Sequence, residues 1–139
     1  MDVIIMNKKI FKNIQDFPHP KQMTKLPFCG FSCNYMYKPQ NHARTFSYNA
    51  WLYKGAEYLY KINYDLNGVD INKPMAVYMY FICPSKFDID NFTKSMLDLV
   101  FGQYLGYAND NNIVSTVTVK IGTVTDIKEA KTYIYFKNI

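Results

Sequence analysis

The chain has 139 residues, 49% of them hydrophobic and 19% charged, which suits one packed domain and excludes a disordered chain. Its net charge is +5 and its pI about 9.0, a balance that suits a polyanionic partner. The longest apolar run, Met75–Cys83, falls well short of the roughly 20 residues of a membrane span, and Met1–Asn7 lacks the apolar stretch of a secretory signal, so the expectation is a cytoplasmic chain with no membrane partner.

In chain order, a short strand is expected at Val3–Met6, then irregular chain through the two prolines of Phe17-Pro18-His19-Pro20, which break both helix and strand. Residues 31–37 alternate weakly and read as a strand closed by Lys38-Pro39. Ser47 reads as an N-cap for a helix over 48–63 carrying Trp51, Leu52, Tyr58, Leu59 and Ile62, with Gly55 an oddity in its middle. Asn67-Gly68 signals a turn. Met75–Cys83 is apolar on both faces, hence a central strand covered on both sides. Asp90 reads as the N-cap of a helix from Asn91 to about Tyr104, stopped by Gly106. Ile113–Ile121 should place Ile113, Val117, Val119 and Ile121 on one face. Lys131–Lys137 should place Ile134 and Phe136 opposite Tyr133 and Tyr135, and these last two strands could pair antiparallel. The fold class is α+β: one domain over 31–139, a mixed β-sheet packed with two main helices, behind a partly irregular N-terminal extension at 1–30.

Cys29, Cys33 and Cys83 are an odd number of thiols with no matching histidine pair, so neither a disulfide framework nor a zinc site is expected. The acids are more informative. Asp88 and Asp90 follow the central strand, and residues two apart in extended chain face one side. Such a pair repels unless a cation, a proton or hydrogen bonds compensate; Mg²⁺ commonly takes one or two carboxylates with water and phosphate oxygens. Asp110 is the third candidate ligand. On a helical wheel Asn91, Lys94, Ser95 and Asp98 share a stripe roughly 100° wide, opposite the apolar Phe92, Met96, Leu99 and Val100. Plain alternatives stand beside the metal reading: Asp90 as an ordinary cap, Lys94 and Asp98 as a solvated pair, Asp110 as turn chemistry.

The run Asp88-Ile89-Asp90-Asn91-Phe92-Thr93-Lys94-Ser95-Met96-Leu97-Asp98 has the form D-x-D-N-x-x-K-x-x-x-D. With Gly106, Tyr107, Asn109-Asp110 and a strand opening at Asn112-Ile113 behind it, it resembles the RusA family of Holliday junction resolvases, from about Val77 to Lys120. The resemblance implies a homodimeric endonuclease using Mg²⁺, with Mn²⁺ a substitute, that binds a four-way DNA junction and cuts two opposing strands in recombination and repair. It assigns Asp88, Asp90 and Asp110 as metal ligands and Lys94 as an electrostatic catalyst, in a bacterial or phage-infected cell. Two positions depart from the family: Asn109 stands where it usually has an acid, and Lys86-Phe87 where it often has arginines. Lys86, Asn91, Lys94 and Arg44, the single arginine, are the candidate DNA contacts. The alternatives are a non-catalytic DNA-binding module of the same fold and a metal nuclease for other branched DNA.

Overall fold

The computed structural model describes residues 2–6, as backbone only, and 17–139. One five-stranded sheet is built from β1 (Asp2–Met6), β2 (Thr24–Leu26), β3 (Met75–Cys83), β4 (Ile113–Thr123) and β5 (Lys131–Asn138), in the order β1-β4-β3-β5-β2. β3 is the middle strand, as its apolar sequence requires. It runs parallel to β4 and antiparallel to β5, while β1 and β2 pair antiparallel at the two edges.

β4 and β5 therefore do not pair, contrary to expectation: β3 lies between them and pairs with both. The parallel β3–β4 relation needs a long crossover, and a helical rod supplies it. That rod runs as a 3₁₀ turn at Ile89–Phe92, an α-helical segment at Thr93–Leu97 and a π-helical segment at Asp98–Tyr104; the three together are α2 here. Gly106, at φ +67°, ends it in a conformation that a Cβ would strain.

α1 spans Phe46–Lys61, and its N-cap is Thr45 rather than Ser47: the Thr45 Oγ1 accepts the Tyr48 N–H at 3.2 Å. Gly55 is no weakness in α1. A Cβ there would lie 2.8 Å from a Leu99 methyl, so its missing side chain lets α1 and α2 approach closely. Residues 31–37 form no strand. Ser32 caps a 3₁₀ turn at Cys33–Tyr35, and extended chain is confined to a single Tyr37–Arg44 bridge.

The helices cover one face of the sheet. Leu52, Leu59, Met96, Leu99 and Phe101 are buried there against Val77, Met79, Phe81, Ile134 and Phe136. On the other face Tyr78, Tyr80, Val117 and Val119 pack with Met23, flanked by Tyr133 and Tyr135. Ile113 does not share a face with Val117, as expected from strict alternation; it packs on the helix side. The β3–β4 register shifts between Met75 and Ala76, and an inserted residue at such a bulge reverses which side chains face in. Both edge strands come from the first thirty residues, and Leu26 and Cys29 lie in the same core as the helices. Residues 17–30 are thus part of the domain's packing, not an appendage to it. Among the described residues no helix is long and apolar enough to cross a membrane.

Candidate metal and phosphate site

β3 ends at Cys83, and the chain turns over Pro84–Phe87 into α2. Asp88, at φ −95° and ψ 110°, is the cap of this turn, and its Oδ1 accepts the Asp90 N–H at 3.2 Å. The cap is therefore Asp88, and Asp90 is the second residue of the helical rod. Between them Ile89 is buried at 2% exposure. Anchoring the middle residue in the core sends both neighbouring carboxylates outward, so the pair faces solvent together. They line one open cleft of about 440 Å³ with Ser85, Lys86 and Lys120.

Lys120 is the residue that sequence reasoning missed. It lies on β4, paired with Phe81 of β3, and its ammonium donates to the Phe87 carbonyl at 2.5 Å and the Ser85 carbonyl at 3.4 Å. A strand lysine thus ties down the turn that carries Asp88 and supplies positive charge beside two carboxylates. Its place in an alternating strand made it look like an ordinary polar-face residue; the only clue was a cation among threonines.

Farther along α2, between Lys94 and Asp98, a second group of charges meets. Lys94 Nζ lies 3.8 Å from Asp98 Oδ2, and an Arg44 terminal nitrogen lies 3.9 Å from the same oxygen. Tyr48, fully buried on α1, donates its hydroxyl to that oxygen at 2.6 Å. Burial pushes the Tyr48 hydroxyl well above the ordinary tyrosine range, and the bond to Asp98 pushes it further, so this donor keeps its proton. Lys94 sits over the Tyr37 ring and Arg44 over the Tyr48 ring, at 5.9 and 5.5 Å from the centroids. Asn91 accepts from the Cys33 thiol at 3.2 Å. Ser95 leaves the expected polar stripe: it is buried, and its hydroxyl accepts the Phe31 N–H and donates to the Phe92 carbonyl. The sequence-expected residues Lys86, Asp88, Asp90, Asn91, Lys94 and Arg44 thus gather at or next to the Cys83 end of the sheet.

Asp110 does not. Met75 pairs with Ile113 in the parallel register, which puts Asp110 at the opposite end of β3, roughly 20 Å away by the helical rise of α2. There it belongs to a turn: Ile113 N–H donates to the Asp110 carbonyl and Asn111 N–H to the Asn109 side chain. Among the described residues no three His, Cys, Asp or Glu side chains stand close enough to hold a metal. The expected centre of Asp88, Asp90 and Asp110 is therefore not assembled within one chain. A parallel strand pair joined by a crossover helix separates the two acids by the helix's length. Asp88 and Asp90 alone still suit a hard divalent ion. Both are exposed, the Asp90 carboxylate has no partner among the described residues, and Mg²⁺ takes two carboxylates with waters and phosphate oxygens.

Compared with known proteins, the chain matches no family model and no curated sequence.

Proposed function

We propose that this protein is a metal-dependent endonuclease for branched DNA, with the four-way junction as its substrate. The observation that supports it most is the outward pair Asp88 and Asp90 in a cleft that also holds Lys86 and Lys120, with Lys94 and Arg44 gathered at Asp98 farther along α2. Carboxylates among lysines suit a site that holds a divalent cation and a phosphate together. Asp88 and Asp90 would hold Mg²⁺ or Mn²⁺, which when bound polarises a phosphodiester oxygen and lowers the pKa of a coordinated water. Lys120 keeps the Asp88 turn in place, and Lys94 faces the charge that develops on phosphate. Lys86, Asn91 and Arg44 extend the contact along the backbone, where phosphate contacts position DNA without reading its sequence.

Two carboxylates with water and phosphate oxygens suffice for the ion; a third acid would come from a two-fold dimer in which each chain lends Asp110 to its partner's Asp88 and Asp90. A junction has matching two-fold symmetry and needs two cuts. The test is a labelled four-way junction incubated with the purified protein, with and without Mg²⁺. Metal-dependent paired cuts that vanish in Asp90→Asn support the reading. Tight binding without cleavage in either metal would instead mark a non-catalytic DNA-binding module, and cleavage of flaps in preference to junctions a nuclease for other branched DNA.

A further inference from the structure

Asp98 is the acid of this region that the metal reading leaves unused. Its Oδ2 receives three partners: the Tyr48 hydroxyl at 2.6 Å, Lys94 at 3.8 Å and Arg44 at 3.9 Å. Only the first is a hydrogen bond; the cations stand beyond direct donation. Tyr48 therefore fixes the carboxylate, and the carboxylate holds two cations near each other without consuming their N–H groups. The rings of Tyr37 and Tyr48 support the cations, and the Tyr37–Arg44 bridge ties the loop to them. Asp98 is also where the rod changes from α to π geometry, a change that often accompanies functional sites. The group Arg44, Lys94 and Asp98 carries a net charge of about +1, and a backbone phosphodiester carries about −1.

We infer that Asp98, fixed by Tyr48, is a positioning residue that gathers Arg44 and Lys94 into a two-cation seat for one DNA backbone phosphate next to the Asp88–Asp90 pair. Arg44 offers a planar fork and Lys94 a point charge, so a phosphate bridging them satisfies both at once. The inference deepens the proposed function and rests on its nucleic-acid part, but not on cleavage.

The experiment measures binding of a fluorescent four-way junction by anisotropy in EDTA, over a range of salt, for the wild type and for Asp98→Asn, Tyr48→Phe, Arg44→Ala, Lys94→Ala and the double Arg44→Ala/Lys94→Ala. Removing a negative charge beside DNA should by itself tighten binding. A positioning role predicts the reverse: Asp98→Asn weakens binding by ~3–10-fold and lowers the salt slope by about 1, the loss of one phosphate contact. Tyr48→Phe should do the same with no change in charge. Because one phosphate needs both cations, the double alanine variant should bind about as weakly as either single one, and in the Asp98→Asn background the two losses should become additive. Circular dichroism and thermal unfolding of Tyr48→Phe, which keeps the ring, separate lost positioning from lost folding. Tighter binding by Asp98→Asn, or additive losses in the wild type, would overturn the inference while leaving a DNA-binding protein. If the wild type binds no DNA at all, the nucleic-acid reading fails and the seat for a DNA phosphate fails with it.

Discussion

The two ends of β3 use the same residue types for different work. At the Met75 end, the side chains of Asp70, Asn109, Asn112 and Asn138 hold backbone. Asp70 accepts the Asn72 N–H, Asn138 accepts the Asp70 N–H and donates back to its carbonyl, and Asn112 donates to the Ile71 carbonyl. Lys73 pairs locally with Asp70 at 4.0 Å. At the Cys83 end, Asp88 alone caps and Asp90 is left outward; Lys86 and Lys120 line one cleft with them, while Lys94 and Arg44 meet Asp98 farther along α2. Short polar side chains at strand ends are turn chemistry by default. What marks a site is cations arriving from distant segments to meet carboxylates that the turn does not need.

The largest expected effect tests whether the two ends meet across a dimer. Asp90→Asn and Asp110→Asn should each reduce junction cleavage to background. Mixing the two variants, unfolded together and refolded, should restore cutting. If each site takes Asp88 and Asp90 from one chain and Asp110 from the other, a mixed dimer contains one site with both lesions and one with none. Nicked rather than paired-cut product is the expected result. No restored cutting would mean that Asp110 serves only its own chain, and full activity of Asp110→Asn alone would return it to the turn.

Next in size is the contrast between two lysines. Lys94→Ala should raise the cleavage barrier by ~2–4 kcal/mol, the range for one lost electrostatic donor. Lys73→Ala, at the other end in an exposed pair, should leave the rate alone and change stability by less than ~1 kcal/mol. Single-turnover rates on the junction and urea unfolding measure both. Equal effects would erase the distinction between the ends. A smaller loss, ~10-fold in rate, is expected for Lys120→Met, which keeps the aliphatic stem and removes the ammonium that holds the Phe87 carbonyl. Because Lys120 acts through the turn, its loss should also raise the metal concentration needed for half-maximal cleavage. An unchanged metal requirement would make Lys120 a merely structural residue.

Much of this was legible in the sequence wherever one physical rule decided the matter. The apolar run Met75–Cys83 is observed with those limits and in the middle of the sheet, since only a doubly covered strand tolerates such a run. The alternation of β5 is kept, as is the stop at Gly106. Errors arose where two rules competed. Thr45 and Ser47 both cap well, and so do Asp88 and Asp90; local backbone geometry chose between them. A bulge invisible to alternation turned Ile113 over. The pairing of β4 with β3 instead of β5 is a long-range choice that strand patterns do not encode. Asp88, Asp90 and Lys94 stand in one motif and could be read together, whereas Arg44 lies in a separate loop; the separation of Asp110 depends on strand direction, and Lys120 on which loop folds across it.

The smallest expected effect concerns alkaline stability and divides the buried thiols of the Asp88 end from the buried phenols. Cys29 and Cys83 lie toward the Asp88 end. Burial pushes the Cys29 thiol from 9.0 to about 12, with Cys83 adding to it, and burial also raises Cys83, opposed by Lys120. The raised phenols are spread more widely: burial raises Tyr64 and Tyr104 toward the Asp110 end, where the Tyr104 hydroxyl donates to the Tyr64 carbonyl, and it also raises Tyr48 beside Asp98 and Tyr80 on β3. A folded chain that retains protons which the unfolded chain has released loses stability as pH rises. The stabilisation is thus complete below the unfolded values. It declines first above pH 9.0 through the thiols, then more steeply above 10.0 as the phenols join. Urea unfolding at intervals from pH 8 to 11 should show this two-stage fall. In a Cys29→Ala/Cys83→Ala variant the overall level drops because two core side chains are cut back, but the slope between pH 9 and 10 should flatten while the later fall remains. An unflattened slope would mean that the thiols of the Asp88 end contribute nothing to the pH response and that the phenols carry it all.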